Sequence, residues 1–188
     1  MKEKIKNMLL EKSHLDDIEI QLAEHGIDII VSDGRNMLCV LVLSLLLNNF
    51  KYALLYLLIL SSLRIHTGGW HASSEIKCFF TYQTMFLLFS FINSFNIPRA
   101  VCLLIMILSL IYIICLAPVE HKLNPLSSDE IKRNRVCCLV YCFVFAAVFL
   151  LIQGNHSSYS QSIALSFLFN VVLMELLRNS KDYRYYEN

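Results

Sequence analysis

Apolar and polar positions fall into long blocks along this chain. Four blocks are almost wholly apolar: Phe79–Ile97, Ala100–Val119, Val136–Ile152 and Ser162–Leu177. Each comes close to the roughly 20 residues that a helix needs to cross a bilayer. Ahead of them, Met37–Leu47 and Tyr52–Leu63 are shorter and are split by Asn48, Asn49 and Lys51. The pattern predicts a helical hairpin there. Its first helix begins near Ile27 and leaves Asp33 and Arg35 close to one interface; the competing reading is one long helix over residues 37–63. Upstream, Leu15, Ile18, Leu22 and Ile29 recur at helical spacing behind Ser13, which can cap a helix with Asp16 three residues on. Residues 1–26 are therefore expected as an amphipathic helix on a membrane surface.

The predicted fold is all-α: a single polytopic membrane domain over residues 1–188 with six transmembrane helices, the first hairpin short, plus the N-terminal surface helix. Composition agrees. Charged residues are 16% of the chain, against roughly 25% in soluble domains. The start of the chain has no apolar core of the kind found in a cleavable secretory signal. A net charge of +1 gives no reason to expect nucleic acid as a partner.

Basic residues set the orientation. With six helices, one side receives Lys2, Lys4, Lys6, Lys12 and Arg35, then Arg64 and Lys77, then Lys122, Lys132, Arg133 and Arg135, and finally Arg178, Lys181 and Arg184. Only Lys51 and Arg99 fall opposite. A five-helix arrangement moves the first group across and spoils the bias, so both termini and the segment 64–78 are expected in the cytoplasm. Six cysteines, Cys39, Cys102, Cys115, Cys137, Cys138 and Cys142, lie in or beside apolar runs. None falls in a predicted outer loop, so no exported disulfide framework is expected. Cys138 and Cys142 are four apart, with no histidine or carboxylate nearby in sequence to complete a metal site.

The seventh, Cys78, lies in RIHTGGWHASSEIKC, residues 64–78, between two greasy runs. Ser73 or Ser74 can cap the helix that follows, and Glu75 suits its first turn. Cys78 then sits near a helix N-terminus, where the thiolate form is favoured. His71 precedes it by seven residues, about 10 Å on a straight helix. Proton transfer therefore requires the chain to fold back, and Gly68–Gly69 with Ala72–Ser74 give it that freedom. The glycines also have backbone N–H groups that suit an oxyanion. Two readings stay open on these residues alone: a Cys–His nucleophilic pair, or a plain turn with Trp70 as an interfacial anchor and His71 as a solvated histidine.

The same stretch resembles the signature of the accessory gene regulator B family of membrane cysteine endopeptidases: an arginine, a Gly-Gly-aromatic-His run, and a cysteine seven residues after the histidine. APVEHKLNPL, Ala117–Leu126, is similar to the family's proline-bearing cytoplasmic loop, and Gly26–Ile30 also fits. The resemblance implies a multi-pass bacterial cell-membrane enzyme without a cofactor, acting as a homodimer, whose partner is an AgrD-like precursor peptide. It implies that Cys78 is the nucleophile and His71 the base, with Arg64 and Gly69 in supporting roles. The cysteine would cleave the quorum-sensing precursor on its C-terminal side. An internal cysteine or serine would then displace the peptide from the enzyme as a cyclic thiolactone or lactone. Exchange of a thioester for a thiolactone is nearly balanced in energy, and no phosphate-cradling glycine loop is present.

Other polar residues carry lesser expectations. Lys132, Arg133 and Arg135, together with Glu75, are candidates for binding substrate; attraction of an acidic tail by the basic three would be long-range and salt-sensitive. His66 could touch the site and Glu120 with His121 could form a second acid–base pair, but all three are expected mainly as solvated loop residues. Glu175 is expected either to orient His71 or to pair with Arg178. The aromatic and Leu/Ile stripes read as packing and lipid-facing surface. The competing classes are a transporter with the Gly-Gly loop as hinge, disfavoured by the scarcity of ionisable residues in the later apolar runs, and a non-catalytic membrane scaffold.

Overall fold

The computed structural model describes residues 17–68, 75–120, 126–154 and 157–180, with 17–30, 75 and 157 by backbone alone. These residues form six helices and no strand: α1 Asp17–Leu46, α2 Phe50–Thr67, α3 Glu75–Asn93, α4 Arg99–Leu116, α5 Ser128–Ile152 and α6 Ser157–Arg178. The hairpin reading of the first apolar pair holds over the single-helix one. Asn48 takes a left-handed φ of 53°, a conformation asparagine tolerates better than most side chains. The Asn49 amide then ties the turn to α3 by donating to Ser90 Oγ at 2.8 Å.

Helix boundaries follow local chemistry. Pro98 stands just before α4, and α4 stops ahead of Pro118, since proline has no N–H to continue a helix. Val119, read from the sequence as the end of an apolar span, therefore lies beyond the helix. Ser127 caps α5 in a capping box with Glu130. The larger difference is at the start. A surface helix over 1–26 followed by a separate spanning helix is not what forms over the described part; Asp17–Leu46 is one unbroken helix. It passes through Gly26 and Gly34, because a glycine inside a helix costs only about 1 kcal/mol and the apolar spacing continues across both. Residues 1–16, with the Ser13–Asp16 cap, lie outside the described residues.

Packing is organised around α6. It touches α2, α3, α4 and α5, and 72% of its most apolar stretch is buried, against 22% for α4 and 17% for α5. This explains its composition: Ser160, Gln161, Ser162, Ser166 and Asn170 are all buried, facing protein rather than lipid. Gln161 holds the α3–α4 turn by donating to Phe95 O at 2.9 Å and accepting from Ile97 N–H at 3.2 Å. One core cluster joins α2 and α6 to α4 and α5 through Leu63, Ile113, Phe149 and Phe167. The other joins them to α1 and α3 through Val40, Tyr56, Phe86 and Leu173.

In the second cluster, the side chains of α2 and α3 meet across the middle, between α1 and α6. Large aromatics fill the gap: Tyr56 meets Phe86 and Phe89 with ring centroids 5.9 and 4.5 Å apart. The outside is apolar in turn, with Leu46 and Leu151 each 80% exposed and Phe143 77%. Soluble proteins rarely present such extensive apolar surface to water. Among the described residues, three helices, Arg99–Leu116, Ser128–Ile152 and Ser158–Arg178, are long and apolar enough to cross a membrane.

Candidate functional site

The end of α2 and the start of α3 supply the described part of the 64–78 stretch. Gly69, Trp70 and His71, with Ala72–Ser74, lie outside the described residues, as does the side chain of Glu75. Glu75 is the first residue of α3, and Cys78, partly exposed, is its fourth. Gly68 ends α2 with φ 73° and ψ −176°, a conformation essentially confined to glycine. Its N–H donates to Arg64 O at 3.1 Å. In this conformation the Gly68 N–H is therefore engaged by the end of α2.

The second motif stretch packs on this turn. Val119 N–H donates to Thr67 O at 2.8 Å, and Ala117, Val119 and Glu120 are buried. The backbones approach so closely that a Cβ added to Gly68 would lie 2.2 Å from Val119 O. Behind the turn, the Thr67 hydroxyl donates to Gly68 O at 3.0 Å and accepts from Asn170 Nδ2 at 3.3 Å. Glu120 is thus buried, 2% exposed, rather than solvated as expected; His121 is outside the described residues.

Arg64 and Cys78 line one narrow cleft, with about 10 Å³ of free space, together with Tyr56, Leu60, Thr81, Tyr82, Met85 and Leu173. The sequence reading missed the last six as site residues. A signal was present: Cys78, Thr81, Tyr82 and Met85 follow i, i+3, i+4, i+7 spacing, and Tyr56, Leu60 and Arg64 follow i, i+4, i+8 spacing, each a single helix face. The Tyr56 hydroxyl is buried and finds no hydrogen-bond partner among the described residues. A buried, unpaired hydroxyl costs about 1–3 kcal/mol. Tyr56→Phe is therefore expected to leave the thermal midpoint in detergent unchanged or raised; a clear drop would show that the hydroxyl has a structural partner.

The remaining candidates fall elsewhere. His66 stacks on Tyr141 with centroids 5.4 Å apart, and its Nδ1 lies 3.3 Å from Asn134 Oδ1, so it faces α5. Lys132, Arg133 and Arg135 are exposed at the start of α5, Lys132 beside Asp129 at 3.8 Å. Glu175 pairs with Arg178 at 3.0 Å and accepts from the Tyr112 hydroxyl, the second of its two expected roles. All seven thiols are free. Among the described residues, no group of three His, Cys, Asp or Glu side chains gathers as a metal site.

Comparison with known proteins finds relatives along most of the chain. An accessory gene regulator protein B of Staphylococcus aureus (strain bovine RF122 / ET3-1) is 27% identical over 164 residues, covering 85% of this chain and 84% of that protein. The protein of the same name from Staphylococcus epidermidis is 26% identical over 144 residues, 76% of this chain and 74% of the relative. That of Staphylococcus aureus strain MRSA252 is 21% identical over 175 residues, 93% and 92%. No solved structure matches. The sequence model of the family accessory gene regulator B spans residues 2–174, and with nearly the whole length matched, this membrane chain belongs to the accessory gene regulator B family.

Proposed function

We propose that the chain is a membrane-embedded cysteine endopeptidase and acyl transferase that converts a quorum-sensing precursor peptide into a cyclic product. The observation that carries this reading is the meeting of Cys78 and Arg64 in one cleft, at the end of the bundle where both motif stretches converge. Cys78 is the nucleophile and His71 its base. The thiolate attacks the scissile carbonyl carbon, and the oxyanion collapses with cleavage of the C–N bond. His71 returns the proton to the leaving amine, and the peptide remains as a thioester on Sγ. An internal thiol or hydroxyl of the peptide, deprotonated by the same imidazole, then attacks the thioester and releases the Cys78 thiolate. Arg64, beside Cys78, supplies positive charge to the oxyanion; Gly68 and Gly69 shape the loop. The buried bundle keeps water scarce, so that ring closure outruns hydrolysis. Lys132, Arg133 and Arg135 draw in an acidic precursor tail, and two copies of the chain act as a homodimer.

The test is to separate the two steps. A precursor whose ring-forming residue is replaced by alanine keeps its scissile bond but has no internal acceptor. A covalent adduct is expected to accumulate, heavier than the enzyme by the truncated peptide less one water, and to break down with hydroxylamine. Normal release of linear acid without an adduct would make the protein a plain hydrolase, and no cleavage at all would favour a scaffold.

The same reading places six helices across the membrane with both termini in the cytoplasm. In a cysteine-free background, Ser127→Cys should resist a membrane-impermeant thiol reagent applied to intact cells, and Ser158→Cys should react. Both serines are exposed, so the reverse pattern would turn the protein over.

A further inference from the structure

Four hydroxyls on these helices return to their own backbone. Ser61 and Ser62 on α2 donate to Leu57 O and Leu58 O, each at 2.6 Å. On α6, Ser162 and Ser166 donate to Ser158 O and Ser162 O at 2.9 and 2.7 Å. All four bonds reach back one turn, a common resort for a hydroxyl inside a helix. Thr67 departs from the pattern. It is the last residue of α2 and wholly buried. Threonine in a helix divides between two rotamers, and one of them would return its hydroxyl to Leu63 O. Instead the hydroxyl points forward to Gly68 O at 3.0 Å and accepts from Asn170 Nδ2 at 3.3 Å. Asn170 Oδ1, also at 3.3 Å, is the more distant acceptor for its single proton. Asn170 is itself wholly buried on α6, three residues before Leu173 of the cleft, where an amide costs free energy unless it is hydrogen-bonded.

Gly68 is thus held on both sides, its N–H by Arg64 O at 3.1 Å and its C=O by the Thr67 hydroxyl. A glycine left to itself has the widest choice of backbone conformation. With both of its peptide groups tied, the direction in which the chain leaves α2 is set. Resting on the reading of Cys78 as nucleophile and His71 as base, we infer that Asn170 is a positioning residue for the reaction. By keeping the Thr67 hydroxyl forward on Gly68 O, it fixes the start of the loop that carries the base. It touches neither the substrate nor the reacting atoms and acts through Thr67. Without its N–H the Thr67 hydroxyl is released to Leu63 O, Gly68 O loses its donor, and the glycine regains its freedom. The covalent step slows while the precursor binds as before.

The test is the rate at which the full chain in lipid vesicles forms the thioester adduct with the precursor that has no internal acceptor. Asn170→Leu keeps the bulk and removes the amide; Thr67→Val keeps the shape and removes the hydroxyl. Each should slow adduct formation at saturating precursor on the order of 10–100-fold, with the half-saturating concentration unchanged. Because one residue acts through the other, the double variant should be no slower than the slower single, whereas independent contributions would multiply. Thr67→Ser, which restores the hydroxyl, should recover most of the rate lost in Thr67→Val. Ser166→Ala is the control, since that hydroxyl lies one turn from Asn170 but bonds within α6; it should match the parent. Asn170→Ser, too short to reach Thr67, repeats the measurement should the leucine variant fail to insert. Parent-like rates without the Asn170 amide, multiplied losses in the double variant, or a change confined to the half-saturating concentration would overturn the inference. Any of these leaves the adduct of the parent chain, and with it the proposed function, standing; a parent that forms no adduct would strike the function instead.

Discussion

Cys78→Ala is expected to abolish precursor cleavage while leaving membrane insertion and thermal midpoint close to those of the parent. The thiol is only partly buried at the start of α3, so its removal leaves no large core cavity. On the proposed mechanism the chemical loss is complete, because covalent catalysis without its nucleophile falls back on slow attack by water. The buried cysteines offer no substitute: Cys102, Cys138 and Cys142 lie in the cluster joining α2, α4, α5 and α6, apart from the cluster that walls the cleft. His71→Ala should reduce cleavage by about 10²–10⁴-fold, the usual contribution of a general base. Cleavage in vesicles with co-reconstituted precursor, read by mass spectrometry, measures both. Normal processing by Cys78→Ala, with loss instead from Cys138→Ala, would remove Cys78 from the mechanism.

Gly68→Ala is the second substitution expected to have a large effect, although residue 68 carries no reactive group. Two costs combine. An alanine at φ 73° and ψ −176° is strained by about 1–3 kcal/mol. Its Cβ would also stand 2.2 Å from Val119 O, and a backbone carbonyl cannot swing aside as a side-chain tip can. Relief requires Val119 to retreat, which breaks its hydrogen bond to Thr67 O and uncouples the segment after α4 from the end of α2. A destabilisation on the order of 3 kcal/mol and at least a ~10-fold loss of cleavage are expected. Gly34→Ala and Gly154→Ala are the controls, since an added Cβ meets nothing within 4 Å at either position. Parent-like stability and activity in Gly68→Ala would show that the contact with Val119 is dispensable.

Block hydrophobicity made the helices legible, because a spanning segment must bury its backbone polar groups in its own hydrogen bonds. Asn48 and Asn49 were visible as a break for the same reason. The continuity of α1 was not: the change from an amphipathic to an apolar pattern near Ile27 reads as a boundary, yet one helix carries both patterns across Gly26. Cys78 and Arg64 stood out as reactive or charged residues beside apolar runs. Tyr56, Leu60, Met85 and Leu173 did not, since a residue lining a cleft and one filling a core obey the same spacing. Val119 was hidden more deeply, because its part is played by backbone atoms against Gly68, which leave no mark on side-chain pattern.

The unbroken α1 has a mechanical consequence. Its middle is fastened to α3, with the Arg35 guanidinium 5.8 Å from the centroid of the Phe79 ring and Gln83 Nε2 donating to Asn36 O at 3.2 Å. Everything from Asp17 to Ser32 rides on that anchor as a lever, about 24 Å long at 1.5 Å per residue. Its azimuth is geared to Cys78's own helix. One residue inserted ahead of Asp33 would turn the whole lever by about 100° without touching the cleft, whereas a joint at Gly26 would have let the two parts swing independently.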